Sequence, residues 1–178
     1  IVKNRSQVFG YYDHNMTVMI EKTGDHLKDK PKYVPRQRLW YIRAKEVILS
    51  TGSIERPIVF GNNDTPGVFL SAAAKEYIKV YGVLVGKKPL IFTNNDSAYE
   101  TALEFKKQGI DPVILDTREE HSSELIDSVK NQNIKIRFSY AIIAANGYKK
   151  VKSAQIGKLN KNKTVFENSE TIQCDCIC

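Results

Sequence analysis

Between Pro89 and Asp116 the sequence sets one amphipathic stretch between two short apolar runs, and few folds accommodate that order. Pro89-Leu90-Ile91-Phe92-Thr93 and Pro112-Val113-Ile114-Leu115-Asp116 have the length and side chains of strands covered on both faces. Between them Asn94-Asn95-Asp96 reads as a tight turn. Ser97-Ala98-Tyr99-Glu100 has the S-x-x-E form of a capping box, and Ala98, Ala102 and Phe105 recur at helical spacing before Gly109. Strand, helix and strand in so short a span make a βαβ unit, with parallel strands and a right-handed crossover. Ser123 to Asn131 predicts the next helix, Ile134 to Phe138 a third parallel strand, and the remainder a β-hairpin leading to Cys174. The expected class is doubly wound α/β: a dinucleotide-binding-like parallel sheet with flanking helices, plus meander and hairpin segments.

The preceding residues divide in two. Gln7 to Tyr12, Met16 to Glu21 and Arg36 to Arg43 are rich in β-branched and aromatic residues, with Asp13-His14-Asn15 and Thr23-Gly24-Asp25 as turns, so a small antiparallel meander is predicted. Val47 to Leu49 then reads as a central strand covered on both faces, ending in Ser50-Thr51-Gly52. Pro57, Pro66 and several glycines keep Ser53 to Gly67 irregular. Ser71 to Tyr81 predicts a helix with Ala74, Tyr77, Ile78 and Tyr81 on one stripe, and Gly82 as its left-handed cap.

At 178 residues and 42% hydrophobic content the chain can build one sizeable core and one or two domains. No apolar run approaches the roughly 20 residues that cross a bilayer, and no secretory leader is visible, so a cytoplasmic protein without membrane contact is expected. Ile1 is not a Met, and Thr171 to Cys178 is an apolar-alternating run without a turn or polar tail, so both ends read as cuts in a longer chain. Cys174, Cys176 and Cys178, the only cysteines, would share one face of a strand, too far apart to bridge and without zinc-site spacing. The net charge of +7 gathers at Lys149, Lys150, Lys152, Lys158, Lys161 and Lys163. Such a cluster could serve a nucleic-acid surface, but these lysines alternate with Val151, Ile156, Leu159 and Val165 and lack interleaved aromatics. A solvated hairpin face is the expectation, with no nucleic-acid partner.

The turn after Leu90 to Thr93 is where a dinucleotide fold places its glycine fingerprint, because glycines let the backbone approach the pyrophosphate. Thr93-Asn94-Asn95-Asp96-Ser97-Ala98 contains no glycine, and Asp96 would bring a carboxylate toward the phosphates. Asp116, 20 residues beyond Asp96 at a strand end, has the placement of an acid that accepts from a ribose hydroxyl. A carboxylate beside a pyrophosphate outweighs that one hydrogen bond, so a fold retained for packing is expected rather than tight nucleotide binding. Thr51 and Gly52 are further cofactor-contact candidates, since a strand-end glycine presents backbone to a ligand, although Thr-Gly alone is also an ordinary turn. His14 beside Asp13 could act as a general base, but a turn histidine without a nucleophile is the simpler reading. His26 and His121 have no partners at metal spacing. No catalytic or metal-binding residue is assigned.

Gly10-Tyr11-Tyr12-Asp13-His14-Asn15, Arg36-Gln37-Arg38-Leu39-Trp40 with Ile42-Arg43-Ala44, Ser50-Thr51-Gly52 with Glu55-Arg56-Pro57, and Phe92-Thr93-Asn94-Asn95-Asp96-Ser97-Ala98-Tyr99 occur in this order. Together they resemble the alpha subunits of heterotetrameric sarcosine oxidase, from about Ser6 to the C-terminus. Hydrogen cyanide synthase and opine dehydrogenase subunits share the broader domain type. The resemblance implies a module similar to the pyridine-nucleotide–disulfide oxidoreductases, in which a second dinucleotide domain interrupts the first. On that basis residues 1–68 are expected to be a partial first domain, residues 69–170 the inserted Rossmann-like domain, and residues 171–178 a truncated return strand.

The resemblance further implies a parent that oxidises sarcosine to glycine, forms hydrogen peroxide and passes a one-carbon unit to tetrahydrofolate. NAD would belong to the alpha subunit, FMN to the alpha–beta interface and FAD to the beta subunit, with beta, gamma and delta subunits as partners. The chain by itself is expected to be inactive and without a bound cofactor. A second expectation is a docking module that uses the Asn94 to Tyr99 turn and an exposed sheet edge. An independent NAD-dependent dehydrogenase is the third, disfavoured by the missing fingerprint.

Overall fold

A computed structural model describes residues 1–163 and 166–178, which form two compact units, Ile1–Ser53 and Ile54–Cys178. In the first unit, strands β1 (Ser6–Tyr12), β2 (Met16–Lys22) and β3 (Gln37–Arg43) form the predicted antiparallel meander in that order. The β1–β2 connection runs through Asp13–Asn15, where His14 and Asn15 adopt left-handed backbone at φ 57° and 54°. Asn and His tolerate that region better than β-branched residues do. Asn15 holds the turn, accepting from the Tyr11 hydroxyl at 2.8 Å and donating to the Lys45 carbonyl at 2.8 Å.

Val47 to Leu49 is not a strand. It is irregular chain, with Ile48 89% and Leu49 67% exposed. A strand exists through hydrogen bonds to a neighbour, and none of the described strands runs beside it. Apolar content alone therefore overstated its burial.

The second unit is built on a four-stranded sheet in the order β10–β4–β5–β6: β4 (Pro89–Thr93), β5 (Val113–Asp116), β6 (Lys135–Phe138) and β10 (Cys176–Ile177), all parallel. Helices α1 (Ser71–Tyr81), α2 (Ser97–Lys107) and α3 (Glu124–Asn131) cover one face. Their buried Ala74, Ile78, Ala102, Phe105, Ile126 and Val129 meet Ile91, Ile114 and Cys176 of the sheet. The other face, carrying Leu90, Phe92, Leu115 and Ile177, packs on an antiparallel sheet of β7 (Tyr140–Gly147), β8 (Val151–Leu159) and β9 (Phe166–Gln173). The class is α/β as expected, but the arrangement is not doubly wound: among the described residues the second face is covered by strands, not helices. Tyr140 to Gly147 escaped the sequence reading because its Ala-Ile-Ile-Ala-Ala run lacks the alternation of a half-buried strand.

Two local expectations fail for identifiable reasons. The capping box at Ser97 does not form, since Asp96 takes the cap position and Glu100 pairs with Lys75 of α1 at 2.7 Å. Asn95, one residue before the cap, satisfies the first helical residue instead, its side-chain oxygen accepting from the Ser97 amide at 3.0 Å and the Ser97 hydroxyl at 2.6 Å. The final run is also not one strand. It bends at Asp175, so β9 ends in the antiparallel sheet while β10 joins β4 and extends the second unit's own sheet. That bend sends Cys174 to the strand-covered core and Cys176 and Cys178 to the helix-covered core, so the three thiols do not share a face. The edge of β10 is not open either: the Ile177 amide donates to the Gly67 carbonyl at 2.9 Å and the Phe69 amide to the Ile177 carbonyl at 2.8 Å.

Elsewhere the residues behave as patterned. Gly82 caps α1 at φ 63°, whereas only Ala74 and Ile78 of its expected stripe are buried and Tyr77 and Tyr81 are exposed. Ser123 caps α3 by accepting from the Ile126 amide at 3.4 Å. The Lys149 to Lys163 lysines are exposed on and around β8, and Val165 lies outside the described residues. Phe105 is fully buried under α2 against the sheet. Phe105→Ala should lower unfolding free energy by about 3–5 kcal/mol, and Tyr81→Ala by less than about 0.5 kcal/mol, as read from denaturant midpoints.

Candidate functional site

In an open α/β sheet a ligand binds beyond the carboxyl ends of the strands, where the strand order reverses. Here the reversal lies between β4 and β10, so the site is the turn after β4, the start of α2 and the end of β5. The turn is closed on itself. The Thr93 hydroxyl donates to the Asn95 carbonyl at 2.8 Å and accepts from the Asn95 amide at 3.1 Å. Asn95 occupies the Ser97 amide, and the Tyr99 amide donates to the Asp96 carbonyl at 3.1 Å. The Asn95, Ser97 and Tyr99 amides, among those that a glycine-rich turn would turn toward a phosphate, are therefore already used.

Asp116 sits at the end of β5 and is fully buried. A carboxylate in that position must be hydrogen-bonded and paired or it destabilises the fold. Its oxygens accept from the Tyr99 hydroxyl at 2.8 Å, the Arg118 amide at 2.9 Å, Arg118 Nε at 3.0 Å and the Arg118 terminal nitrogen at 2.7 Å. That same terminal nitrogen donates to Asp96 at 2.7 Å, so one guanidinium bridges the two carboxylates flanking the edge. Such forked, charge-assisted contacts are the geometry for which arginine is suited. The Arg118 hydrogen bond holds the Asp96 carboxyl below its usual range. Hydrogen bonds to Asp116, against the opposing effect of burial, raise the guanidinium's affinity for its proton. Burial, then the bond to Asp116, pushes the Tyr99 phenol upward, so it remains a donor. His121 completes the cluster, with Nε2 3.5 Å from Asp96 and Nδ1 2.9 Å from the Glu119 carbonyl.

Asp116 is thus at the predicted strand end, but its acceptor capacity is committed within the chain. The sequence reading missed Arg118 and Tyr99, and assigned His121 nothing. Asp-Thr-Arg after a buried strand was the available signal, because a basic residue two positions beyond can turn back onto a strand-end acid. Thr51 and Gly52 lie in exposed irregular chain of the first unit, Gly52 at φ 67° with nothing within 4 Å of where a β-carbon would stand. His14 is an exposed turn residue. The expected docking turn cannot present Tyr99, which is fully buried, although Asn94, Asn95 and Ser97 are exposed.

Glu55 has a role the sequence did not disclose. Its carboxylate accepts from the Ser71 and Ala72 amides at 2.9 and 2.7 Å, capping α1 from a distant loop at its positive end. The cysteines are free and buried. Burial, with Cys176 and Asp175 adding, pushes the Cys174 thiol up to about 12, and contact with Cys176 followed by burial raises Cys178. Among the described residues no group of three His, Cys, Asp or Glu side chains is placed to hold a metal, and no helix is long and apolar enough to cross a membrane.

Comparison with known proteins follows the same lines. The sequence matches no protein-family model. It is 43% identical over 115 residues, 64% of the chain, to sarcosine oxidase subunit alpha of Rhizobium meliloti, covering 12% of that protein. It is 40% identical over 127 residues, 70% of the chain, to sarcosine oxidase subunit alpha of Corynebacterium sp. strain P-1, covering 13% of it. The chain therefore spans about an eighth of the length of these relatives. In structure it is similar to thioredoxin reductase of T. acidophilum, with a TM-score of 0.59 and 14% identity over 79% of this chain and 46% of that one. Lactococcus lactis thioredoxin reductase gives a TM-score of 0.58 and 17% identity over 97% of this chain and 51% of that one. The fold is that of the pyridine-nucleotide–disulfide oxidoreductases.

Removing Arg118 leaves Asp116 as an uncompensated buried charge. Arg118→Met should cost about 3–5 kcal/mol in denaturant unfolding, and adding Asp116→Asn should recover part of it. Equal loss in the single and double variants would show that packing, not the unpaired carboxylate, is responsible. The three thiols should react with an aromatic disulfide reagent at about pH 8 at least about 100-fold more slowly in the folded chain than in denaturant.

Proposed function

We propose that this chain is a segment of an oxidoreductase subunit related to sarcosine oxidase subunit alpha, in which the second unit acts as a packed scaffold without a dinucleotide of its own. The observation that carries this reading is the Arg118 guanidinium seated between Asp96 and Asp116. A pyrophosphate there would meet the Asp96 carboxylate and a turn in which the Asn95, Ser97 and Tyr99 amides already have acceptors. A ribose hydroxyl would have to displace Tyr99 or Arg118 from Asp116. The residues at this edge do not fit a bound dinucleotide, and no reaction step is derived through one.

The parent chemistry, by the likeness to the alpha subunits, is oxidation of sarcosine to glycine with oxygen, yielding hydrogen peroxide and a one-carbon unit for tetrahydrofolate. NAD would be held in the first dinucleotide domain of the complete subunit, with Thr51 and Gly52 at its margin, while FMN and FAD would serve the alpha–beta interface and the beta subunit. The beta, gamma and delta subunits are the corresponding partners, in the cytoplasm. This segment contributes no catalytic group to that scheme. Its role is mechanical: it presents a face whose charged groups are committed to one another, where related reductase folds hold nucleotide.

Calorimetric titration of the chain with NAD tests the reading. No binding at about micromolar NAD is expected, for the wild type and for Asp96→Asn alike, since losing one carboxylate leaves the Asn95, Ser97 and Tyr99 amides occupied. Micromolar affinity in the wild-type chain would overturn the scaffold assignment.

A further inference from the structure

We infer that the hollow where β8 meets the bend between β9 and β10 is a docking surface for an acidic segment of a partner polypeptide. It has a volume of ≈ 360 Å³ and is lined by Lys88, Lys150, Val151, Lys152, Gln173, Cys174 and Asp175. Lys88 comes from the turn before β4, about sixty residues away in sequence from Lys150 and Lys152. The fold brings them together through the backbone. The Cys174 amide donates to the Lys152 carbonyl at 3.2 Å, and the Asp175 amide to the Lys88 carbonyl at 3.2 Å. Two lysines are thereby tethered to consecutive residues of one bend, while Cys174 beneath is buried. These backbone bonds place the main chain of Lys88 and Lys152, so the cost of ordering on binding falls on the lysine side chains.

Charge identifies the occupant. Lys75, Lys106, Lys107 and Lys130 of this same unit all pair with carboxylates. Among the described residues Lys88, Lys150 and Lys152 form no ion pair, as is also true of the exposed Lys149, Lys158, Lys161 and Lys163, but these three are the ones that line one hollow. The hollow's one carboxylate, Asp175, is committed to the amides of Lys87 and Lys88 at 2.7–3.0 Å, and the cations outnumber it three to one. Packing accounts for none of the three ammonium groups, and their mutual repulsion is relieved by an incoming anion. Neither an arginine nor an aromatic ring lines the hollow. It thus lacks the forked donors and stacking platform of nucleic-acid sites, whereas compact ammonium groups around an amide such as Gln173 match the carboxylates of Glu and Asp side chains. This surface is separate from the Arg118 edge, so the inference stands or falls independently of the scaffold reading.

Fluorescence anisotropy with a labelled octaglutamate peptide, titrated with the full chain, tests it. Saturable binding should be seen at about 20 mM salt and weaken toward about 150 mM. Lys88→Glu with Lys150→Glu and Lys152→Glu should weaken it more than about tenfold, and the same three sites changed to Gln should weaken it less severely. A charge-matched control, Lys135→Glu with Lys161→Glu and Lys163→Glu, should change it by less than about threefold. Absence of peptide binding at low salt, or equal loss in both charge-reversed variants, would overturn the assignment. So would tighter binding of octauridylate through the same three lysines, which would mark the surface as one for RNA.

Discussion

Strand β4 has parallel neighbours on both edges and is buried on both faces, and the second unit is arranged to meet those two demands. The edges are satisfied by β5 on one side and β10 on the other, where the Phe92 amide donates to the Cys178 carbonyl at 2.7 Å. The faces need separate covers, because Ile91 points one way while Leu90 and Phe92 point the other. One cover is made by the helices that the βαβ connections must supply. The other is the β7–β9 sheet, which closes the second core without a further helix. Burial of apolar surface supplies the driving force for both layers, and the parallel ladder sets where they lie.

The same rigid sheet makes the Asp116 carboxylate expensive. Held at a strand end with no exposure, it has to be paired and hydrogen-bonded locally: Arg118 supplies the opposite charge and Tyr99 a further donor. The arrangement reaches outward to Asp96, so an internal requirement for charge balance also decides what the sheet's carboxyl edge can offer. Dinucleotide-binding sheets in general use this edge for phosphate and ribose. Here its donors and acceptors serve each other, and similarity of fold does not carry over similarity of site.

Much of the fold was legible because its signals are local. Ala98, Ala102 and Phe105 form the buried stripe of α2, Gly82 ends α1 in left-handed backbone, and the β1–β3 meander follows its turn residues. Where the reading failed, a distant competitor was present. Glu100 was drawn to Lys75 instead of completing a capping box, and Asn95 satisfied the Ser97 amide. Val47 to Leu49 had strand composition but no strand beside it among the described residues. Tyr140 to Gly147 was hidden because a strand packed under another sheet need not alternate.

The sequence by itself determined the βαβ order, the absence of a phosphate-binding glycine turn and the placement of an acid at a strand end, because these rest on residue type and short spacing. Only the tertiary structure decided what that acid contacts, how Glu55 caps α1, that the C-terminal run divides between two sheets, and that Lys88 meets Lys150 and Lys152. Each of these depends on residues far apart in the chain, or on a side-chain conformation, brought into register by packing. No local pattern encodes such a meeting, since the partner is selected by geometry that exists only after the cores have formed.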